Sequence, residues 1–368
     1  MSANTPIKNI FSQFTAEGSF DNAGTFGSGH INDTYLVQTA ENDKPDYILR
    51  RINQYVFRNV PGLLENTASI TDHIRRRKEK YNLNESGLKY IIKLIPAHSG
   101  EYYVLDDNND YWCLMYYIPD SKSMDVVETT DQAFEGGKAF GNFIRYLSDF
   151  PVNDLYITIP HFHDLEKRLQ WFRESIKEAP EKKLNQVREM ISFLEDRAEK
   201  MSTISLAGNK GLLPRRVTHN DTKFNNVLLD ESDQAICIID LDTVMPGYVH
   251  YDFGDALRTI ANTGEEDDQD LNNVSFNLDY FKAFTRGYLN RTIDVLTEKE
   301  KKLLPLAPFM MTYEQTIRFL TDFLQGDLYY KTEYPGHNLQ RTKAQLTLYK
   351  SMENTENDIR SYIYSFME

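Results

Sequence analysis

Apolar and polar positions alternate in short runs over the first third of the chain, then recur at three- and four-residue steps over most of the remainder. Thr34-Tyr35-Leu36-Val37 and Tyr47-Ile48-Leu49-Arg50-Arg51-Ile52 are extended apolar runs, and a glycine-rich stretch at 24–29 interrupts the chain just before the first of them. Short strands are predicted at 90–95, 101–105 and 111–118, with the turn residues Asp107-Asn108-Asn109-Asp110 between the last two. A helix is predicted over about 61–81, ending in the basic run Arg75-Arg76-Arg77-Lys78. After Pro119-Asp120-Ser121 the period changes. Phe134, Gly137, Phe140, Phe143, Ile144 and Leu147 mark one amphipathic helix. Further helices are expected at 164–178, 180–200, 275–289, 297–325 and from 341 onward, around an island of strands at 215–243. The expectation is an α+β chain with a boundary near 118–123: a small antiparallel-sheet N-terminal lobe over 1–120 and a larger, mostly helical C-terminal lobe over 121–368.

At 368 residues there is enough chain for one large core or two modest ones. With 23 Tyr and 21 Phe, extensive disorder is not expected. The net charge of −14 argues against general affinity for nucleic acid, so a phosphate site must be a local concentration of cations, backbone N–H groups and metal. The opening MSANTPIKNIFSQF lacks a signal-peptide pattern, and no run is long and apolar enough to span a membrane. Two cysteines, Cys113 and Cys237, both flanked by apolar residues, predict buried thiols rather than a disulfide framework. A cytoplasmic protein with no membrane or nucleic-acid partner is expected.

The most informative segment runs from Val217 to Leu229 and contains His219-Asn220-Asp221-Thr222-Lys223-Phe224-Asn225-Asn226. It fits H-x-D-x-x-x-x-N, the catalytic loop of kinases, in which an Asp faces the attacking hydroxyl and an Asn five residues on helps to hold Mg²⁺. Nineteen positions after Asp221, the apolar run Ala235-Ile236-Cys237-Ile238-Ile239 ends in Asp240, where a kinase places its main metal-binding carboxylate. Such a combination is far more specific than a lone His-x-Asp, which is most often a polar turn. Asp252-Phe253-Gly254 spells the D-F-G string but follows a polar turn, so Asp252 is expected to brace the catalytic loop. Asp242 shares a face with Asp240 in an extended chain and is either a second metal or water ligand or an exposed acid.

Other candidates are less specific. The run from Gly24 to Thr34, with Gly27, Ser28 and Gly29 at its centre, can fold over ATP phosphates or be an ordinary hairpin turn. Arg50 resembles the strand cation that reaches the α/β-phosphates, with Glu65 as its candidate partner, but a surface Arg is an equal alternative. His161 and His163 have the look of metal ligands; Asp164 before Leu165-Glu166 is better explained as a helix N-cap. Glu265-Glu266-Asp267-Asp268 is expected to be a solvated acidic loop.

His219-x-Asp221 with Asn226 and Ile239-Asp240-Leu241-Asp242 resembles the aminoglycoside phosphotransferase and choline kinase superfamily. The resemblance to the N-acetylhexosamine 1-kinases is closer than that to the superfamily at large. It rests on Gly29-His30-Ile31-Asn32, Ala139-Phe140-Gly141-Asn142-Phe143, the catalytic strings, Arg318-Phe319-Leu320, Gly326-Asp327 and Tyr334-Pro335 through Arg341-Thr342. The resemblance implies a protein-kinase-like two-lobed fold and ATP- and Mg²⁺-dependent phosphorylation of O1 of N-acetylglucosamine or N-acetylgalactosamine, in carbohydrate metabolism. It implies Asp221 and Lys223 as catalytic, Asn226 and Asp240 as metal ligands, and sugar contacts from His30, Asp221, Arg318 and Tyr329. The nucleotide would meet Gly27, Ser28, Gly29, Arg50 and Tyr117. The small lobe departs from the pattern: Arg50 stands where the sugar kinases carry an uncharged amide, and Glu65 lies a turn away from its counterpart. Kinases of other sugars, choline or aminoglycosides remain alternatives, as does a catalytically silent kinase fold.

Overall fold

The computed structural model describes residues 4–27, 31–81 and 88–368, which form two compact units. The first comprises 1–122, 149–160 and 228–246, and the second 123–148, 161–227 and 247–368. The stretch at 215–243, read as an island of strands, is therefore shared out, with Asp221, Lys223 and Asn226 in the second unit and Asp240 in the first.

The first unit is built on an antiparallel sheet of β1 (Phe20–Thr25), β2 (Asp33–Thr39), β3 (Tyr47–Ile52), β4 (Leu94–Ile95), β5 (Val104–Leu105) and β6 (Tyr111–Tyr116), ordered β1-β2-β3-β6-β4 with β5 also on β6. The runs read as extended in the sequence form β2, β3 and β6, whereas the runs at 90–95 and 101–105 keep only two residues of strand each. In β3 the alternation turns Tyr47 and Leu49, both fully buried, to one face, while Arg50 and Ile52 lie on the other, Arg50 opposite Cys113 of β6. Helix α1 (Asn4–Phe11) closes one core with Ile7, Ile10 and Phe11 against Val37, Tyr47, Leu49 and Leu114. Helix α2 (Val60–Tyr81) covers a second core through Leu63, Leu64 and Ala68 against Ile52, Leu94 and Cys113. Both cysteines are buried free thiols. A hairpin of Val227–Leu229 and Ala235–Ile238 leads to Asp240.

The second unit is helical: α3 (Thr130–Tyr146), α4 (Leu165–Glu178), α5 (Glu181–Glu195), α6 (Ala198–Met201), α7 (Thr203–Asn209), α8 (Val249–Ile260), α9 (Leu278–Thr292), α10 (Glu298–Leu303), α11 (Ala307–Gln325), α12 (His337–Asn354) and α13 (Glu356–Tyr364). The α+β composition expected from the sequence is thus observed. The periodic stretch at 297–325 is not one helix. Pro305 has no N–H to continue the ladder, and α10 gives way to a 3₁₀ turn before α11 starts. Helix α8 went unpredicted because Pro246-Gly247 reads as a turn. Val249, Phe253, Ala256, Leu257 and Ile260 carry its helical spacing, and all five are buried. Helices α3 and α9 approach at glycines, since a Cβ on Gly137 would meet the Phe284 carbonyl oxygen at 2.1 Å, and one on Gly287 the Phe134 carbonyl oxygen at 2.2 Å. Among the described residues no helix is long and apolar enough to cross a membrane.

Candidate active site

The catalytic segment follows the short strand Arg216–Thr218. His219 is buried, with the rings of Phe140 and Phe143 edge-on at 5.9 and 5.8 Å. Asn220 takes a left-handed backbone, φ 65°, which Asn tolerates better than most side chains. Its own amide is tied back to Thr218, with Nδ2 donating to the carbonyl at 3.2 Å and Oδ1 accepting from the hydroxyl at 3.0 Å. This bend leaves the backbone N–H groups of residues 219, 220 and 222 in need of acceptors away from any regular ladder.

Two carboxylates one turn apart on α8 supply them. Asp252 accepts from His219 N and Asn220 N, each at 2.8 Å, and Asp255 accepts from Thr222 N at 3.0 Å. The bracing role read for Asp252 from its position is therefore what its hydrogen bonds provide. Asp255, missed in the sequence, follows from the i, i+3 spacing once α8 is recognised. Asp255 is also gripped by Arg258 (Nε to Oδ1 at 3.0 Å), whose Nη1 reaches Glu266 at 2.8 Å. Glu266 thus turns inward from the acidic run, and Asp267 pairs with buried His337 at 2.6 Å, so the loop is not simply solvated.

The Asp221 side chain remains 27% exposed, and its carboxylate lies 3.5 Å from Lys223 Nζ. That carboxylate is the main reason the ammonium of Lys223 holds its proton more firmly than usual. Asn226 donates from Nδ2 to the Asp221 carbonyl at 2.9 Å, and its amide oxygen has no protein partner among the described residues.

In the first unit, Arg50 Nη1 bridges Asp240 Oδ1 at 3.1 Å and Asp242 Oδ1 at 2.9 Å. Burial alone would weaken the guanidinium's hold on its proton, but the Asp242 and Asp240 charges more than reverse this. Arg50 therefore pairs with these two acids and not with Glu65, and Asp242 is a buried ion-pair partner rather than an exposed acid. Asn32 Nδ2 adds a hydrogen bond to Asp242 at 2.6 Å. Asp240 has a left-handed backbone, φ 60°, and a side chain 39% exposed. Gly27 is exposed with φ 79°, and Phe26 beside it meets the Tyr117 ring at 5.8 Å. Ser28, Gly29 and His30 lie outside the described residues.

The Asp240 carboxylate in the first unit and the Asn226 amide oxygen in the second are each hard oxygen donors, the type that Mg²⁺ takes. His161 and His163 do not form a metal site: Asp164 caps α4, accepting from Lys167 N at 3.1 Å, and His163 Nδ1 meets Glu314 at 2.9 Å.

On α11 the Arg318 guanidinium packs on the rings of Phe162 and Tyr330, 5.1 and 5.7 Å from their centroids. Its Nη1 donates to Gln315 at 3.2 Å, and its Nε is buried with no protein partner among the described residues. Tyr329 is 60% exposed. Its loop is set by Asp322, which accepts from the backbone N–H groups of Leu328, Tyr329 and Tyr330 at 2.8–2.9 Å and from Asn338 Nδ2 at 2.8 Å. Asp322 was not found in the sequence; Gly326, in a left-handed C-cap four residues later, is the local sign that the chain turns back over it. A cavity of ≈ 710 Å³ is lined by Glu265, Asp267, Asp268, Glu333 and Tyr334.

Several of these acids titrate in opposite senses. Burial would raise Asp255, Glu266 and Glu314, but Arg258 for the first two and His163 for the third hold them below their usual range. Burial pushes Asp252 up to about 6. Carboxylates with lowered folded values contribute stability that is complete above the ordinary value and is lost as pH falls through the lowered one. Asp252 has the opposite sign: its penalty grows between its ordinary value and about 6. The melting temperature is therefore expected to change little between roughly pH 6 and 8 and to drop steeply below about pH 4. A midpoint unchanged down to pH 3 in thermal melts followed by circular dichroism would refute that.

Residues 23–289, well over half of the chain, match the phosphotransferase enzyme family (APH), and the chain belongs to that family. Among solved structures it is similar to an aminoglycoside phosphotransferase from Alicyclobacillus acidocaldarius (12% identity, TM-score 0.65, covering 97% of this chain and 96% of that one). It is also similar to a microcompartment-associated aminopropanol kinase (17%, TM-score 0.62, 96% and 98%). A third similar structure is spectinomycin phosphotransferase in an AMP-bound complex (16%, TM-score 0.53, 98% and 98%). The fold is that of these kinases, with an antiparallel-sheet N-terminal part and a mostly helical C-terminal part.

Proposed function

We propose that the chain transfers the γ-phosphoryl group of ATP to O1 of an N-acetylhexosamine, giving the sugar 1-phosphate. The observation that carries this reading is Asp221, a partly exposed carboxylate on a loop whose backbone is pinned by two buried carboxylates, with Lys223 beside it at 3.5 Å. In this reading Asp221 orients the anomeric hydroxyl and accepts its proton. An anomeric hydroxyl is more acidic than a simple alcohol, which eases removal of its proton. Lys223 neutralises charge on the transferred group, in a reaction that is mostly positioning and electrostatics. Asn226 and Asp240 would hold a magnesium ion, which neutralises charge on the phosphates when bound. Gly27, Ser28, Gly29, Arg50 and Tyr117 belong to the nucleotide side, and nucleotide use is supported by the AMP-bound spectinomycin phosphotransferase. His30, Arg318 and Tyr329 are the proposed sugar contacts. Arg318 Nε, buried and without a protein partner, is a donor suited to an acetamide or hydroxyl oxygen, and the exposed Tyr329 ring offers stacking area.

A second reading, a cationic acceptor such as an amino alcohol or aminoglycoside, is favoured by the acidic lining of the ≈ 710 Å³ cavity. The aminopropanol kinase and aminoglycoside phosphotransferase likenesses point the same way. The test is ATP consumption with Mg²⁺ across GlcNAc, GalNAc, glucose, galactose, choline, aminopropanol and kanamycin, with NMR of the products. Formation of an N-acetylhexosamine 1-phosphate is expected; turnover confined to amines would replace the first reading by the second. Arg318→Ala is expected to raise the acceptor KM by about tenfold or more while leaving the ATP KM unchanged, because removing a partner of a buried polar group costs about 1–3 kcal/mol. An unaltered acceptor KM would remove Arg318 from the acceptor site.

A further inference from the structure

The peptide unit joining Asn220 to Asp221 is held on both edges by imidazoles. On one edge Asp221 N donates to His219 Nδ1 at 3.3 Å; on the other, the Asn220 carbonyl faces His163 Nε2 at 3.1 Å. A carbonyl oxygen only accepts, so His163 Nε2 carries the proton of that bond. The other ring nitrogen, Nδ1, meets Glu314 Oε1 at 2.9 Å, with a proton between them. Both residues are buried, and the ring is packed between Phe162 and Tyr251 at centroid distances of 4.5 and 5.1 Å. Glu314 belongs to α11, one turn before Arg318, whose Nη1 lies 3.9 Å from Glu314 Oε1.

The plane of that peptide sets the N–Cα bond of Asp221 and so, with the following N–H held by Asp255, helps to direct its Cα–Cβ bond. Asn220 is in a left-handed conformation, φ 65°, of the kind that persists where its surroundings hold it. Asp252 and Asp255 grip N–H groups along this loop, whereas His163 holds the Asn220 carbonyl. We propose that His163 is a positioning residue for phosphoryl transfer, its Nε2–H fixing the peptide that presents Asp221 while Glu314 anchors the ring to the helix that bears Arg318. This rests on Asp221 acting as proposed above.

Two substitutions separate positioning from packing. The amide nitrogen of His163→Gln can replace Nε2, preserving the bond to Asn220 but abandoning Glu314. That of His163→Asn can replace Nδ1, preserving the Glu314 bond but releasing the Asn220 carbonyl. H163Q is expected to be the less stable protein, because the buried Glu314 loses its 2.9 Å hydrogen-bond partner and keeps only the longer contact with Arg318 at 3.9 Å. H163N is expected to be the slower enzyme, with kcat down about 100-fold and the ATP KM unchanged, since a small misplacement of a catalytic group costs about that much. Activities that follow the order of the melting temperatures would overturn the proposal. If the wild type turns over no acceptor, the proposed function fails on its own. The positioning claim is then decided by amide hydrogen exchange at residues 220–222: faster exchange in H163N than in H163Q supports it, and equal exchange or the reverse order overturns it.

Discussion

Replacement of Asp221 by Asn is expected to lower kcat by about two to four orders of magnitude, the range that a positioned acid or base contributes. ATP should still bind with near wild-type affinity. Asn has almost the same shape, and the loop's backbone is held from elsewhere, by Asp252, Asp255 and the histidines at 219 and 163, none of which needs the Asp221 carboxylate. What is lost is the acceptor for the hydroxyl proton and the negative partner of Lys223 at 3.5 Å. The lysine then holds its proton less tightly, because the Asp221 charge is the largest contribution to its raised affinity. Steady-state kinetics with the best acceptor, together with calorimetric titration of the nucleotide, separate the two effects. Turnover close to wild type would exclude Asp221 as the base. A parallel collapse of nucleotide affinity would mean that Asp221 is mainly structural.

A second large effect is expected far from the chemistry. Gly137→Ala should destabilise the protein by about 3 kcal/mol, the upper part of the usual cost of overpacking. The added carbon would lie 2.1 Å from the Phe284 carbonyl oxygen, a backbone atom that can move only if helix α9 moves. Gly287→Ala creates the mirror-image clash, 2.2 Å from the Phe134 carbonyl oxygen on α3. Since a single parting of the two helices relieves both clashes, the double variant should cost clearly less than the sum of the single ones. Chemical denaturation of the three variants tests this. Strict additivity would show that the helices do not respond as a pair, and single-variant costs below about 0.5 kcal/mol, the level of an ordinary surface substitution, would refute the contact itself.

The order His219-x-Asp221, Asn226, Asp240 was legible because its spacing lies within one short stretch of chain, where the turn and strand signals are also local. The α+β division was legible because the hydrophobic period changes from two to about 3.6 near residue 120. What could not be read were partners brought together over long separations. Arg50 invites a search for an acid on the next helix, yet its acids come 190 and 192 residues later. Nothing in the charge pattern singles out Asp255, Arg258 or Asp322, because burial decides their role and charge patterning does not record burial. The run Glu265-Glu266-Asp267-Asp268 looked solvated for the same reason: the inward turn of Glu266 depends on a guanidinium, Arg258, on another element. Pro246-Gly247 concealed helix α8, and with it the second carboxylate that pins the catalytic loop.

The loop carrying Tyr329 takes its path from Asp322, a residue of the preceding helix that receives three of the loop's main-chain N–H groups. Main-chain donors are the same whatever side chains the loop bears, apart from proline. The identity of residues 328–330 is thereby uncoupled from the course of the backbone. In this chain the exposed Leu328 and Tyr329 side chains can be exchanged without touching the bonds that hold their backbone, whereas loss of the Asp322 carboxylate would release three N–H groups at once.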